Sequence, residues 1–164
     1  MRDDEGFERF VLAAYPGLMR RAFLLVGDHG HAEDLVQGAL TTAYLRWRKV
    51  REPHAYLRTV MTRSAIGMRT RRWRGEYPTD PLPDRPRPED PQADVDLADA
   101  VRRALMALPP EQRAVVVLRY FEDCPEAEIA EILGCSAGTV KSRASRALAA
   151  LRAGGLLAEE GHLR

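Results

Sequence analysis

The chain has 164 residues, of which 45% are hydrophobic and 30% charged, and its formal net charge is +1. These are the figures of a globular protein with room for one ordinary domain or two small ones. No run of about 18 apolar residues occurs and Met1-Arg2-Asp3-Asp4-Glu5 is not a signal-peptide start, so the sequence predicts neither a membrane span nor export, and a cytoplasmic protein. Cys124 and Cys135 have no second pair and no suitably spaced histidines beside them, which argues against a disulfide framework or a metal box; no cofactor is expected.

Helical periodicity begins with "FERFVLAAYPGLMRRAFLLV", where Phe7, Phe10, Val11, Ala14, Leu18, Ala22 and Leu25 recur at spacings of three and four. Pro16-Gly17 is expected to bend or interrupt that helix. His29 and His31 fall in "GDHGHAED", read as a polar turn. Next, "HAEDLVQGALTTAYLRWRKV" repeats the spacing with Leu35, Val36, Ala39, Leu40, Ala43 and Leu45, and Glu33 and Asp34 suit its first turn. After Pro53 a third stripe runs through Tyr56, Leu57, Val60, Met61, Ser64, Ile66 and Met68 and then becomes strongly basic.

Gly75 to Asp94, "GEYPTDPLPDRPRPEDPQAD", carries six prolines and almost no large apolar side chain. Proline at that density removes backbone donors and favours extended chain, so the stretch reads as a linker. Four more helical units follow: "VDLADAVRRALMAL", ending at Pro109-Pro110; "PEQRAVVVLRYFED", with proline where a first turn tolerates it; "PEAEIAEIL"; and "SAGTVKSRASRALAALR". Val115 to Val117 could form a strand by propensity, but nothing nearby could pair with it. The predicted fold is all-α, with two small helical domains (1–74 and 95–153), a linker (75–94) and a tail (154–164).

Divided along the chain, the charge is far from neutral. Residues 1–74 carry 14 basic against 8 acidic side chains, residues 75–100 carry 2 against 8, and residues 101–164 carry 9 against 8. Arg46 to Arg74 holds ten basic residues and one acid, Glu52; Ser136 to Arg152 holds four and none. Two basic patches are thus separated by an acidic connector, a distribution suited to nucleic acid.

The second patch sits in "EIAEILGCSAGTV". Gly134 stands where a left-handed helix end is wanted and Ser136 where an N-cap accepts a backbone N–H, giving the short turn of a helix-turn-helix. On the following helix Val140, Ala144, Ala147, Leu148 and Leu151 share an inner side. The opposite side presents Gly138, Thr139, Ser142, Ser145 and Arg146, with Lys141 and Arg143 on its shoulders, a mixture of small and cationic residues that suits insertion into a major groove. Tyr44, Trp47, Tyr56 and Trp73 lie in or beside the first patch, where aromatic rings among cations suit unstacked single-stranded DNA; Tyr44 and Tyr56 also lie on apolar stripes and can equally be core.

The order "AEDLVQGALTTAYLRW", "PHAYLRTVMTRSA", proline-rich connector, "ALPPEQRAVVVLRYFEDCPEAEIAEILGCSAGTVKSRASRALAALR" resembles the extracytoplasmic-function sigma factors of the sigma-70 family, in particular the small actinobacterial ones, from about Phe7 to Arg152. The resemblance implies a promoter-specificity subunit of RNA polymerase. Its first domain would bind the clamp of the beta-prime subunit through Asp34, Leu35 and Gln37, and read and open the minus-ten element through Trp47, Arg48, Lys49, Arg51, His54, Arg58 and Arg63, with the loop "RKVREPH" capturing a flipped base. Its second would dock on the beta subunit and read the minus-thirty-five element through Gly138, Thr139, Lys141, Ser142, Arg143, Ser145 and Arg146. The connector would thread toward the template channel, or else its charge would keep two basic domains off DNA. An anti-sigma partner is left open, and a monomer on the core enzyme is implied.

Two positions depart from the family pattern: Gly38 stands where Glu or Asp usually follows "DLVQ", and Arg63 where asparagine is common. Rival readings are a stand-alone regulator, which needs an effector pocket or phosphoacceptor in the first half; a DNA-processing enzyme, which needs a catalytic constellation the sequence lacks; and a decoy that binds polymerase but not promoters.

Overall fold

The computed structural model describes residues 3–73 and 92–155, with side chains over 3–68 and 97–155; the linker up to residue 91, the Trp73 side chain and the tail beyond residue 155 lie outside them. Seven α-helices run α1 (Asp4–Val26), α2 (His29–Leu45), α3 (Pro53–Trp73), α4 (Gln92–Met106), α5 (Pro110–Val116), α6 (Glu126–Leu133) and α7 (Ala137–Ala153). A 3-10 turn (Trp47–Lys49) precedes α3 and a π-helical turn (Val117–Phe121) extends α5. No strand occurs among the described residues, and the valine run is helical because Val115, Val116 and Val117 are all buried between helices.

Several expectations are corrected. Pro16 does not interrupt α1, which is continuous from Asp4 to Val26; Pro16 is exposed, and its ring lies on the outer face. His29 and His31 belong to the first turn of α2 rather than to a loop, because Asp28 is the N-cap and accepts from the His31 amide at 2.8 Å; Glu33 and Asp34 therefore lie beyond that turn. Leu45 is 64% exposed and Ser64 is exposed, whereas Ala65 is buried. Helix α4 starts at Gln92, inside the stretch read as linker.

Ala14, Leu18, Ala22 and Leu25 of α1 pack against Leu35, Val36, Ala39 and Ala43 of α2 and Leu57, Met61 and Ala65 of α3. The same core continues into the second half through Leu105, Leu108, Ala114, Val116 and Val117 and reaches Ala147 and Leu151 of α7. A satellite core of Val115, Leu118, Cys124, Ile129, Ile132, Val140 and Ala144 holds the α6–α7 pair. Two helical halves thus share one apolar interior, with each fully buried aliphatic side chain stabilising it by about 1.5–3 kcal/mol.

Polar ties reinforce this contact. Arg113, 3% exposed, donates from Nη1 to the Leu25 carbonyl of α1 (3.0 Å), from Nε to Leu105 (2.7 Å) and from Nη2 to Leu108 (2.8 Å). One guanidinium thereby satisfies carbonyls at the ends of α1 and α4, which have no intrahelical partner. Arg102 hydrogen-bonds Asp99 at 2.9 Å, holding that carboxyl below its usual range, and donates to the Gly27 carbonyl at 3.4 Å.

Candidate nucleic-acid interface

The helix-turn-helix is built by local chemistry. Gly134 ends α6 in the left-handed region at φ 64°, and its N–H and that of Cys135 return to the last turn, the latter reaching the Ala130 carbonyl at 3.0 Å. Ser136 then caps α7, its Oγ accepting from the Thr139 amide at 3.1 Å. Ile129 and Ile132 of α6 and Val140 and Ala144 of α7 bury the shared side, so the other side of α7 must face solvent.

Gly138, Lys141, Ser142, Ser145 and Arg146 are exposed there. Thr139 is half-buried, its hydroxyl 3.0 Å from Ser136 Oγ, and Arg143 is half-buried with Nη1 3.7 Å from Cys135 Sγ. Those two side chains support the turn as well as border the face. Lys141 Nζ lies 3.9 Å from Glu126 Oε2 but is 69% exposed, a pairing too weak to hold it from a phosphate. Glu126 has a stronger partner in Arg119, whose guanidinium it keeps protonated beyond its ordinary range. Burial pushes the Cys124 thiol up to about 11, with Glu128 adding to the effect, so Cys124 is an inert core residue.

The first patch is divided by the fold. Lys49, Arg51 and Arg63 border an open cleft of about 730 Å³ with Arg46 and Tyr56. His54 and Arg58 border a different cleft, of about 510 Å³, shared with Arg20, Arg21, Phe121 and Glu122. Trp47 is half-buried, with its ring 5.1 Å from Phe7 in an edge-on arrangement and 5.3 Å from Phe10, which also holds His54 at 5.0 Å. Arg48 is exposed. "RKVREPH" is not one loop: it starts in the 3-10 turn and ends in α3. Tyr44 and Tyr56 are half-buried; the Tyr44 hydroxyl donates to Asp4 at 2.9 Å.

The "DLVQ" residues separate by helix face. Asp34 and Gln37 are exposed on α2, whereas Leu35 is 3% exposed and belongs to the core between α1, α2 and α3. Its side chain is part of that core, so of the three residues Asp34 and Gln37 are the ones that stand at the surface. Gly38 is exposed with open space where a side chain would stand.

Sequence reasoning missed the partners of two α3 cations. Arg58 pairs with Glu128 at 2.9 Å and lies 3.4 Å from Glu122, which also binds Arg21; Arg63 donates to the carbonyls of Ile132 (2.8 Å) and Glu131 (3.2 Å) at the end of α6. The unusual arginine at position 63 was the one available signal, since a cation in place of asparagine needs an acceptor.

Residues 10–75 match the Sigma-70 region 2 family and residues 98–151 the Sigma-70, region 4 family. The chain is 42% identical over 153 residues to the RNA polymerase sigma-E factor of Streptomyces coelicolor, covering 89% of this chain and 84% of that protein. It is 36% identical over 152 residues to the ECF RNA polymerase sigma factor SigM of Mycobacterium tuberculosis, covering 91% and 76%. The structure of the sigma factor RpoE in complex with the anti-sigma factor NepR from Bartonella quintana aligns with a TM-score of 0.73 at 25% identity, covering 94% of this chain and 99% of that one. With both family regions in order on either side of the acidic connector, and the helix-turn-helix in the second, the chain belongs to the extracytoplasmic-function group of the sigma-70 family and is an RNA polymerase sigma factor of actinobacterial type, directing core polymerase to specific promoters.

Proposed function

We propose the following division of labour within that activity. The exposed face of α7 reads the minus-thirty-five element, with Lys141 and Arg146 reaching phosphates or base edges and Gly138, Ser142 and Ser145 leaving room for close approach; Thr139 and Arg143 border it. This rests on one observation above all: a capped turn presents a face of only small and cationic side chains. In the first half, Arg48, Lys49 and Arg51 contact the opened minus-ten strand, Trp47 and His54 stack at its upstream edge, and Arg58 and Arg63 contribute once freed from α6. Asp34 and Gln37 engage the clamp of the beta-prime subunit, while the second half docks on the beta subunit. The chain works in the cytoplasm as a non-catalytic, monomeric subunit of the core enzyme.

An anti-sigma partner is also part of this reading, supported by the likeness over both halves to a sigma factor crystallised with its anti-sigma factor. The stand-alone regulator is not favoured, since both halves match polymerase-subunit regions.

Run-off transcription with purified core polymerase and a promoter library tests the assignment. Promoter-dependent transcripts are expected from the wild type. Trp47→Ala is expected to slow initiation on duplex templates and to leave it unchanged on pre-melted ones; equal loss on both templates removes Trp47 from the opening step.

A further inference from the structure

We propose that Lys49 is an acylation site: its amine takes an acyl group from a small acyl phosphate held by the surrounding arginines, and the amide formed removes one cation from the minus-ten reader. The consequence for DNA rests on the assignment of Lys49 to the opened strand; the acylation itself does not. Of the 25 lysine and arginine side chains only two are lysines, Lys49 and Lys141. A guanidinium stays protonated and is no nucleophile at neutral pH, whereas an amine that has given up its proton is one. Amide-forming acylation of a side chain can therefore fall only on Lys49 or Lys141, one in each basic patch.

The two amines have different surroundings. Lys49 ends the 3-10 turn, its N–H bonded to the Arg46 carbonyl at 2.8 Å, and residues three apart in such a turn project to the same side. Both border the 730 Å³ cleft, where Arg51 and Arg63 join them against one acid, Glu52. Arg63 is turned to the α6 carbonyls, but Arg46, Lys49 and Arg51 are exposed and none of them forms an ion pair among the described residues. Two such guanidinium groups beside an amine bind a phosphate and bring the carbonyl attached to it within reach of that amine, which raises its effective concentration. Lys141 has the opposite neighbour: Glu126 Oε2 lies 3.9 Å from its Nζ, and a carboxylate there repels a phosphate dianion.

The step balances without a further reactant. The neutral Nζ attacks the acyl carbonyl and the C–N bond forms; the C–O bond to the phosphate breaks, inorganic phosphate leaves with the bonding pair, and the proton shed by nitrogen passes to that phosphate or to water. The product carries no charge, so the cleft loses one phosphate contact while its arginines remain. An acyl phosphate and a promoter strand present the same group to the same arginines, so bound DNA also shields the amine. Promoter opening is thereby coupled to the supply of activated acyl groups.

The test uses the full chain with acetyl phosphate, and peptide mapping by mass spectrometry reads the acetyl group at each amine. Lys49 should be acetylated about tenfold faster than Lys141, and inorganic phosphate or a single-stranded oligonucleotide should slow Lys49 selectively. Arg46→Gln with Arg51→Gln, both at exposed positions, should bring Lys49 down to the rate of Lys141, while its acetylation by N-hydroxysuccinimidyl acetate, which carries no phosphate, stays unchanged. Equal rates at the two lysines of the wild type, or a Lys49 rate indifferent to inorganic phosphate and to the arginine pair, overturns the proposal. For the consequence, Lys141→Arg leaves Lys49 as the one side-chain amine, and Lys49→Arg with Lys141→Arg, treated alike, subtracts the effect of the amino terminus. Compared with its own untreated sample, Lys141→Arg acetylated at Lys49 should bind a labelled single-stranded oligonucleotide with a salt slope smaller by about 0.7, the share of one phosphate on a single strand. An unaltered slope on protein mapped as acetylated overturns the effect on DNA and traces the fault to the assignment of Lys49 to the strand.

Discussion

Gly27 and Gly134 both end a helix in the left-handed region, at φ 84° and φ 64°, but alanine should not cost the same at the two sites. At Gly134 a methyl group would meet nothing within 4 Å, so Gly134→Ala carries only the backbone penalty, about 1–2 kcal/mol. At Gly27 the added carbon would run into Sδ and Cγ of Met106, at the end of α4 in the other half. Displacing a buried-edge methionine adds about 1–2 kcal/mol, toward the low end of overpacking because the side chain is flexible. Gly27→Ala should therefore cost about 2–4 kcal/mol. Urea unfolding followed by far-ultraviolet circular dichroism measures both. A double-mutant cycle isolates the clash: in a Met106→Ala background Gly27→Ala should fall back to about 1–2 kcal/mol, a coupling of about 1–2. Equal costs at Gly27 and Gly134, or no coupling to Met106, would refute the packing of α4 onto the end of α1.

Gly38→Ala fills an exposed helical position with open space around it and should raise stability by about 0.5–1 kcal/mol in the same assay, since glycine there only adds unfolded-state freedom. Arg146→Ala should weaken binding of holoenzyme to upstream-element DNA and reduce the salt dependence of that binding by about one unit if the contact is to phosphate, or cost about 1–3 kcal/mol at one base pair if it is to a base; unaltered affinity and salt slope would remove Arg146 from the interface. Cys124, with its thiol raised to about 11 in the fold, keeps its proton in the folded chain while the unfolded thiol loses it at lower pH. Its contribution to stability is thus full below the unfolded value and declines as pH rises toward 11. Cys124→Ala should flatten that alkaline decline in urea titrations. With thiol reagents at neutral pH, Cys135, half-buried, should react well before Cys124.

Residue by residue, legibility follows the range of the interaction. The turn from Leu133 to Ser136 could be read because every contact that defines it lies within a few positions: a glycine for the left-handed end, a serine oxygen for the third amide of the next helix. Gly138, Ser142 and Ser145 then fall outward because Val140, Ala144 and Ala147 are committed inward at helical spacing. The start of α2 differs from the expectation because Asp28 caps the helix at His29, which leaves the acids five and six residues after the cap beyond its first turn. Leu35 carries two signals, a match to "DLVQ" and a place on the apolar stripe of α2, and its core neighbours on α1 and α3 point it inward as the stripe expects.

By itself, then, the sequence determined the all-helical class, the helix-turn-helix and the exposed face of its second helix, the two basic patches and the family, since periodicity, caps and charge are local properties of a chain. Only the tertiary structure decided that the two halves share a core, that His54 and Arg58 lie in a different cleft from Lys49 and Arg51, and that Arg58 and Arg63 are held by α6. Those contacts join residues about 70 positions apart, and which carbonyl or carboxylate meets a given arginine at that separation is set by how helices pack, not by any pattern along the chain.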